Sequence, residues 1–268
     1  MHLPRPLVAG VAGALAIVAA VLGVRAWWGW LMRRRAHWFE RLNDSIPINS
    51  DWWKAERAKP GELLYVAIGD SAAQGIGASR PGHSYVGQLA ARLRRETGRT
   101  VRVVNLGVSG ATVGLALRDQ LPRLPKLRPD LLTVSIGAND VALWDAGRFE
   151  REYAQLVEAL PSHAILADIP SFYMLPGQKA VREGNRIIRR LAAGRGLRVV
   201  DLHALTDRQG IWGMITQFAG DLFHPNDRGY RVWADAFAAE ALTRCRQVLD
   251  ERERAAGPGG GTPEAGGA

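Results

Sequence analysis

Cysteine is nearly absent: Cys245 stands alone in 268 residues, so no intramolecular disulfide and no cysteine-based metal site is possible. It falls in an apolar-periodic stretch, which suits a small buried helix residue. The six histidines (His2, His37, His83, His163, His203 and His224) lack the His-x-x-x-His spacing of a helix-borne metal pair, and no metal or cofactor is expected. Gly69-Asp70-Ser71-Ala72-Ala73-Gln74-Gly75 has the glycines of a phosphate loop without the Gly-Lys-[Ser/Thr] ending, which excludes a nucleoside triphosphate site of that type. There is no internal repeat, no nucleic-acid-binding motif and no basic stripe interleaved with aromatics, despite a formal charge of +9. Residues 1–60 hold nine Lys/Arg against four Asp/Glu, while the remainder is nearly balanced. The excess lies beside an apolar segment, so membrane-surface electrostatics explains it better than a nucleic-acid partner.

That segment is the one long hydrophobic run. Leu7 to Val24 is 18 residues without a charge, followed by Arg25, then Trp27, Trp28 and Trp30, then Arg33-Arg34-Arg35. Its length approaches a bilayer span and its tryptophans suit the headgroup boundary. The expectation is a single-pass N-terminal membrane anchor using residues 7–32 within a segment 1–34, with a cleaved secretory signal as the alternative. Basic residues after the segment lean toward a cytoplasmic catalytic domain. Residues 35–61 form a polar, Trp-containing connector, and residues 251–268, rich in Gly, Pro and Ala toward the end, are expected to be a disordered tail.

Between them, residues 62–250 alternate strands and helices. The runs Leu63–Ile68, Val101–Leu106, Leu131–Ile136, Ala164–Ile169 and Leu197–Leu202 are continuously apolar, as parallel strands buried on both faces are. Helical patterns occur near Ser84–Thr97, Arg148–Leu160, Lys179–Ala193 and Gly229–Leu249, which gives a doubly wound α/β domain.

Four short segments fall on the loops of this pattern. Ser71 follows the first strand, Asn105-Leu106-Gly107-Val108-Ser109-Gly110 ends the second, Gly137-Ala138-Asn139-Asp140 ends the third, and Asp221-Leu222-Phe223-His224 lies beyond the fifth. Taken singly these are ordinary: an N-cap serine, a turn glycine, a turn asparagine, a surface Asp-x-x-His turn. Together they supply a nucleophile, two oxyanion donors and an acid–His pair at the one sheet edge where a shared site can form. A serine hydroxyl needs a base, and a histidine base needs an acceptor on its other nitrogen.

With these four blocks the chain resembles the SGNH hydrolase (GDSL esterase/lipase) family. The resemblance implies a flavodoxin-like three-layer sandwich with a five-stranded parallel sheet. It implies Ser71, Asp221 and His224 as the triad, and an oxyanion hole from the Ser71 amide, the Gly110 amide and the Asn139 side chain, with Gly107 the lesser glycine candidate. The first block continues with Ala72 where the family's name has leucine. The expected reaction is hydrolysis of a small-molecule or lipid ester, or a thioester, through an acyl-enzyme. A carbohydrate O-acetylesterase is the alternative among enzymes, and a silent tethered binding domain is the alternative outside them. Phe172 and Leu175, in loop Ser171–Gln178, are candidates for an apolar wall against the acyl group, with an ordinary packed loop as the plain alternative.

Overall fold

The computed structural model of the protein describes residues 5–173 and 177–256; the side chains of residues 5–12, 14 and 16 also lie outside the description. Helix α1 (Arg5–Glu56) precedes the sheet. The strands are β1 (Leu63–Gly69), β2 (Val101–Asn105), β3 (Leu131–Ser135), β4 (Ile165–Ala167) and β5 (Arg198–Val200). They form one parallel sheet of five strands in the order β2-β1-β3-β4-β5. This is the expected architecture, and each strand overlaps an expected apolar run.

Helices follow the strands: α2 (Ser71–Gln74), α3 (Tyr85–Thr97), α4 (Val113–Asp119), α5 (Ala146–Ala159), α6 (Gln178–Gly194), α7 (Leu202–Asp207), α8 (Gly210–Thr216) and α9 (Asp227–Ala256). Their ends carry local signals. Ser84 accepts from the Gly87 amide to start α3, Gly98 closes it in the left-handed region, and Asp145 accepts from the Arg148 amide to start α5. Alternate residues of β1 serve opposite cores. Leu63, Tyr65 and Ala67 pack with α3 and α9, whereas Val66 and Ile68 pack with α4, α5 and α6. Cys245 is buried in the first core, and burial pushes its thiol up to about 11, so it is an inert apolar residue.

Two expectations need revision. The expected transmembrane anchor is not supported: among the described residues no helix is long and apolar enough to cross a membrane. The segment is helical, with Leu15, Ile17, Val18, Val21, Leu22, Val24, Trp27, Trp28 and Trp30 all exposed. Helix α1 continues from this segment through the expected connector to Glu56 and contains Pro47. Finally, residues 251–256 of the expected tail continue α9, while 257–268 lie outside the described residues.

The strand order reverses between β1 and its neighbours β2 and β3, and in open α/β sheets the ligand crevice lies beyond the carboxyl ends at such a switch point. Ser71 follows β1 and Asn139 follows β3, so the topology sets them side by side.

Candidate active site

Ser71 is the first residue of the single-turn helix α2, whose N-cap is Asp70: one carboxylate oxygen accepts from the Ala72 amide at 2.9 Å. So short a helix has little cooperativity of its own. Side chains from distant elements hold it instead. Gln120, fully buried at the end of α4, brackets Gly69 by accepting from its amide at 3.0 Å and donating to its carbonyl at 2.8 Å. Asn105, at the end of β2, donates to the Ala73 carbonyl at 2.7 Å. Asn49 and the Trp53 indole, both from α1, donate to the Gln74 carbonyl at 3.1 and 3.0 Å. Tyr230 from α9 donates to the Ile76 carbonyl at 2.6 Å. The carbonyls that a helix end leaves without partners are thereby satisfied one by one.

His224 comes from a tight turn. Residues 218 and 225 pair as an antiparallel bridge, and the Ala219 amide donates to the His224 carbonyl at 2.8 Å. Leu222 takes φ 56° in this turn, a left-handed conformation unusual for a branched residue. Asp221, fully buried, stabilises the turn with one oxygen, which accepts from the Phe223 and His224 amides at 3.1 Å each. Its other oxygen lies 2.6 Å from His224 Nδ1. Burial raises the Asp221 pKa, but the hydrogen bond and charge of His224 and the two amides outweigh it, and the carboxyl sits below its ordinary value. An ionised Asp221 accepts the Nδ1 proton and leaves Nε2 as an acceptor, 3.1 Å from Ser71 Oγ. Ser71, His224 and Asp221 thus form one unbroken hydrogen-bonded chain across 153 residues of sequence.

The other expected residues divide. Asn139 lines the same cavity as Ser71 and His224; its Nδ2 donates to the Ala111 carbonyl at 2.9 Å and to Asp70 Oδ2 at 3.3 Å. Gly110 has φ 76° with open space where a Cβ would stand, but it does not line the cavity. Gly107 is the poorer oxyanion donor, since its amide already donates to Asn105 Oδ1 at 2.9 Å. Phe172 lines the cavity, and Leu175 lies outside the described residues. Among the described residues no group of three or more His, Cys, Asp or Glu side chains is placed to hold a metal ion.

Several residues were given no role by the sequence reading. Phe218, Phe223 and Trp233 line the cavity together with Phe172 and with Tyr173, which belongs to the loop expected to form its wall, so five lining residues are aromatic. Asp140 is buried, and one oxygen accepts from the Val113 amide at 3.1 Å, tying the loop after β2 to the loop after β3. Burial pushes both Asp70 and Asp140 up to about 6. Asp70 had a readable signal, an N-cap acid directly after a strand; Gln120, 51 residues from the backbone it brackets, had none.

Comparison with known proteins decides the family. The model of the GDSL-like lipase/acylhydrolase family matches residues 67–232, well over half of the chain. The chain belongs to this family. Its members are carboxylic ester hydrolases, so an ester substrate follows at that level. The matched span includes every expected triad and oxyanion residue and leaves out all of α1. Among solved structures, LAE5, an alpha/beta hydrolase enzyme from the metagenome of Lake Arreo, is 27% identical over 68% of this chain and 96% of its own, with a TM-score of 0.55. Axe2, an acetylxylan esterase from Geobacillus stearothermophilus, is 23% identical over 67% of this chain and 94% of its own, TM-score 0.53. The lipase/acylhydrolase from Enterococcus faecalis is 21% identical over 68% and 96%, TM-score 0.58. The last two show the shared fold alone. No curated protein sequence matches significantly.

Proposed function

We propose that the protein hydrolyses a carboxylic ester with an apolar acyl group through a seryl acyl-enzyme. The observation that carries this reading is the unbroken Ser71–His224–Asp221 chain at the wall of an aromatic-lined cavity. As Ser71 Oγ bonds to the ester carbon, its proton passes to His224 Nε2, and Asp221 stabilises the imidazolium. The ester C–O bond then breaks, and the leaving alcohol takes that proton. Water repeats the sequence, with His224 as base, to free the acid and restore Ser71. The positive end of α2 and the Ser71 amide favour the oxyanion. Asn139 adds a donor when the oxyanion replaces the longer of its two bonds, the one to Asp70. The Gly110 amide is a further donor in this reading, with a smaller share than Asn139, which lines the cavity where Gly110 does not.

The aromatic wall favours an aliphatic acyl chain over a sugar on the acyl side. A thioester, or an acetylated sugar presenting only its acetyl group, meets the same chemistry, and rates across acyl chain lengths and acetylated xylo-oligosaccharides separate these substrates. Ser71→Ala should abolish p-nitrophenyl ester turnover and fluorophosphonate labelling while leaving Tm nearly unchanged. Wild-type activity in that variant would sink the mechanism.

A further inference from the structure

Helix α8 has an apolar face that nothing in the described chain covers. Ile211, Trp212 and Ile215 are 68, 69 and 71% exposed, and only Gly213 of the helix is buried. Surface residues this large and this open are uncommon in a contiguous set, and such patches mark interaction sites. Helix α8 runs directly into Gln217 and Phe218, which line the cavity.

A second exposed apolar surface leaves from the same edge. At its C-terminal end α1 touches the start of β2, where the Arg57 carbonyl accepts from Arg102. Back along the helix, Asn49 and Trp53 reach α2 at the carboxyl end of β1, and Trp38 lies where a Cβ on Gly220 would collide with its ring, next to Asp221. Trp38 and Leu42 share a surface groove with Thr216, the last residue of α8. Helix α1 therefore climbs from the amino to the carboxyl ends of the strands and continues past the catalytic edge. At about 1.5 Å per residue, the stretch from Trp38 back to Leu15 adds roughly 35 Å beyond it. That stretch carries the exposed Leu, Ile, Val and Trp residues, with Arg25, Arg33, Arg34 and Arg35 among them.

We propose that the catalytic edge docks on an anionic lipid bilayer, with the Ile211–Trp212–Ile215 face and the apolar half of α1 as the contact, so that the ester is drawn from the lipid phase. Lipid is the occupant that accounts for both parts. Tryptophans and aliphatic side chains insert at the headgroup boundary, and the interspersed arginines complement its negative charge. No crossing of the bilayer is needed. The substrate clause rests on the ester-hydrolase reading; the docking clause does not.

The test labels the full chain at Trp212→Cys with an environment-sensitive fluorophore, the native Cys245 being buried. Phosphatidylcholine vesicles with phosphatidylglycerol should blue-shift and brighten the label, and vesicles lacking it should do so far less. Protein that floats with vesicles without a shift at position 212, or that does not float at all, overturns the proposal. A shift without vesicles, accompanied by a dimer mass, assigns the face to a second copy and also overturns it. In kinetics, replacing Ile211, Trp212 and Ile215 together by Ser should keep soluble-ester turnover within about twofold. The same variant should hydrolyse a vesicle-held ester about tenfold more slowly. A label shift in a chain that hydrolyses no ester would uphold docking and defeat the hydrolase reading.

Discussion

The two turns that carry the proposed nucleophile and its base are secured in opposite ways. The nucleophile turn is held from outside: Gln120, Asn105, Asn49, Trp53 and Tyr230 grip its backbone from four different elements, and none of them needs to touch a substrate. The acid–His turn is held largely from inside, because the Asp221 carboxylate that orients His224 also collects two backbone amides of the same turn. Where the holding groups are separate from the chemistry, placement and reactivity can be disturbed one at a time. Where a single carboxylate does both, they fall together.

Asp221 gives the largest expected effect and the sharpest break in this contrast. Asp221→Asn should lower turnover about 10⁴-fold, because an amide facing Nδ1 favours the wrong imidazole tautomer. The amide oxygen can still accept from the Phe223 and His224 amides, so Tm should hold. Asp221→Ala should be as inactive and should also melt earlier, with faster proteolysis in the 218–225 turn. Equal Tm values for the two variants would show that the turn does not depend on this carboxylate.

A smaller effect is expected at the nucleophile turn. Replacing Asn49 by Leu and Trp53 by Phe removes both donors to the Gln74 carbonyl while keeping similar shapes. Stability should fall by roughly 2 kcal/mol. Since Ser71 keeps its own chemistry, kcat should drop about tenfold with KM moving less than about twofold. An unchanged kcat alongside a lowered Tm would reduce the α1 contacts to packing.

The smallest effect concerns Asp70. Burial lifts its folded pKa to about 6 from an ordinary value of 3.8, so the folded chain holds this proton more tightly than the unfolded chain does. Stability from this group is therefore fully present below the ordinary value and is lost as pH rises toward 6. Asp70→Asn keeps an acceptor for the Ala72 amide and removes the titration. Its Tm should vary less with pH across that window than wild type; Asp140, shifted the same way, leaves some slope. An unaltered slope would mean that Asp70 does not titrate there.

The strands were readable because burial on both faces leaves continuous apolar runs, and three of the motifs because each stands at a strand tip; the fourth, two helices beyond β5, was readable from its Asp-x-x-His spacing. The groups that hold the site were not. Gln120 and Asn105 look like ordinary polar residues until the fold brings Gly69 and Ala73 beneath them. Phe218 and Phe223 look like scattered aromatics until the fold sets them beside the loop that carries Phe172 and Tyr173. Gly110 shows the limit from the other side, since its motif position was clear and yet its loop leaves it outside the cavity lining. The N-terminal segment misled for a related reason. Its composition suggested a membrane span over residues 7–32, whereas the described helix is not long and apolar enough to cross a membrane and runs on to Glu56, into residues that bond the nucleophile turn.

The grip of α1 on both turns also bears on how much of the chain constitutes the working unit. The family pattern begins at residue 67, and a fragment cut just before β1 would retain every residue it recognises. Such a fragment would lack Trp38 against Gly220 and the two donors to Gln74, and would keep the contacts that the two turns make with each other and with α9. On the proposed hydrolase reading, the residues back to about Trp38, upstream of the family span, therefore belong to the unit that positions the two turns.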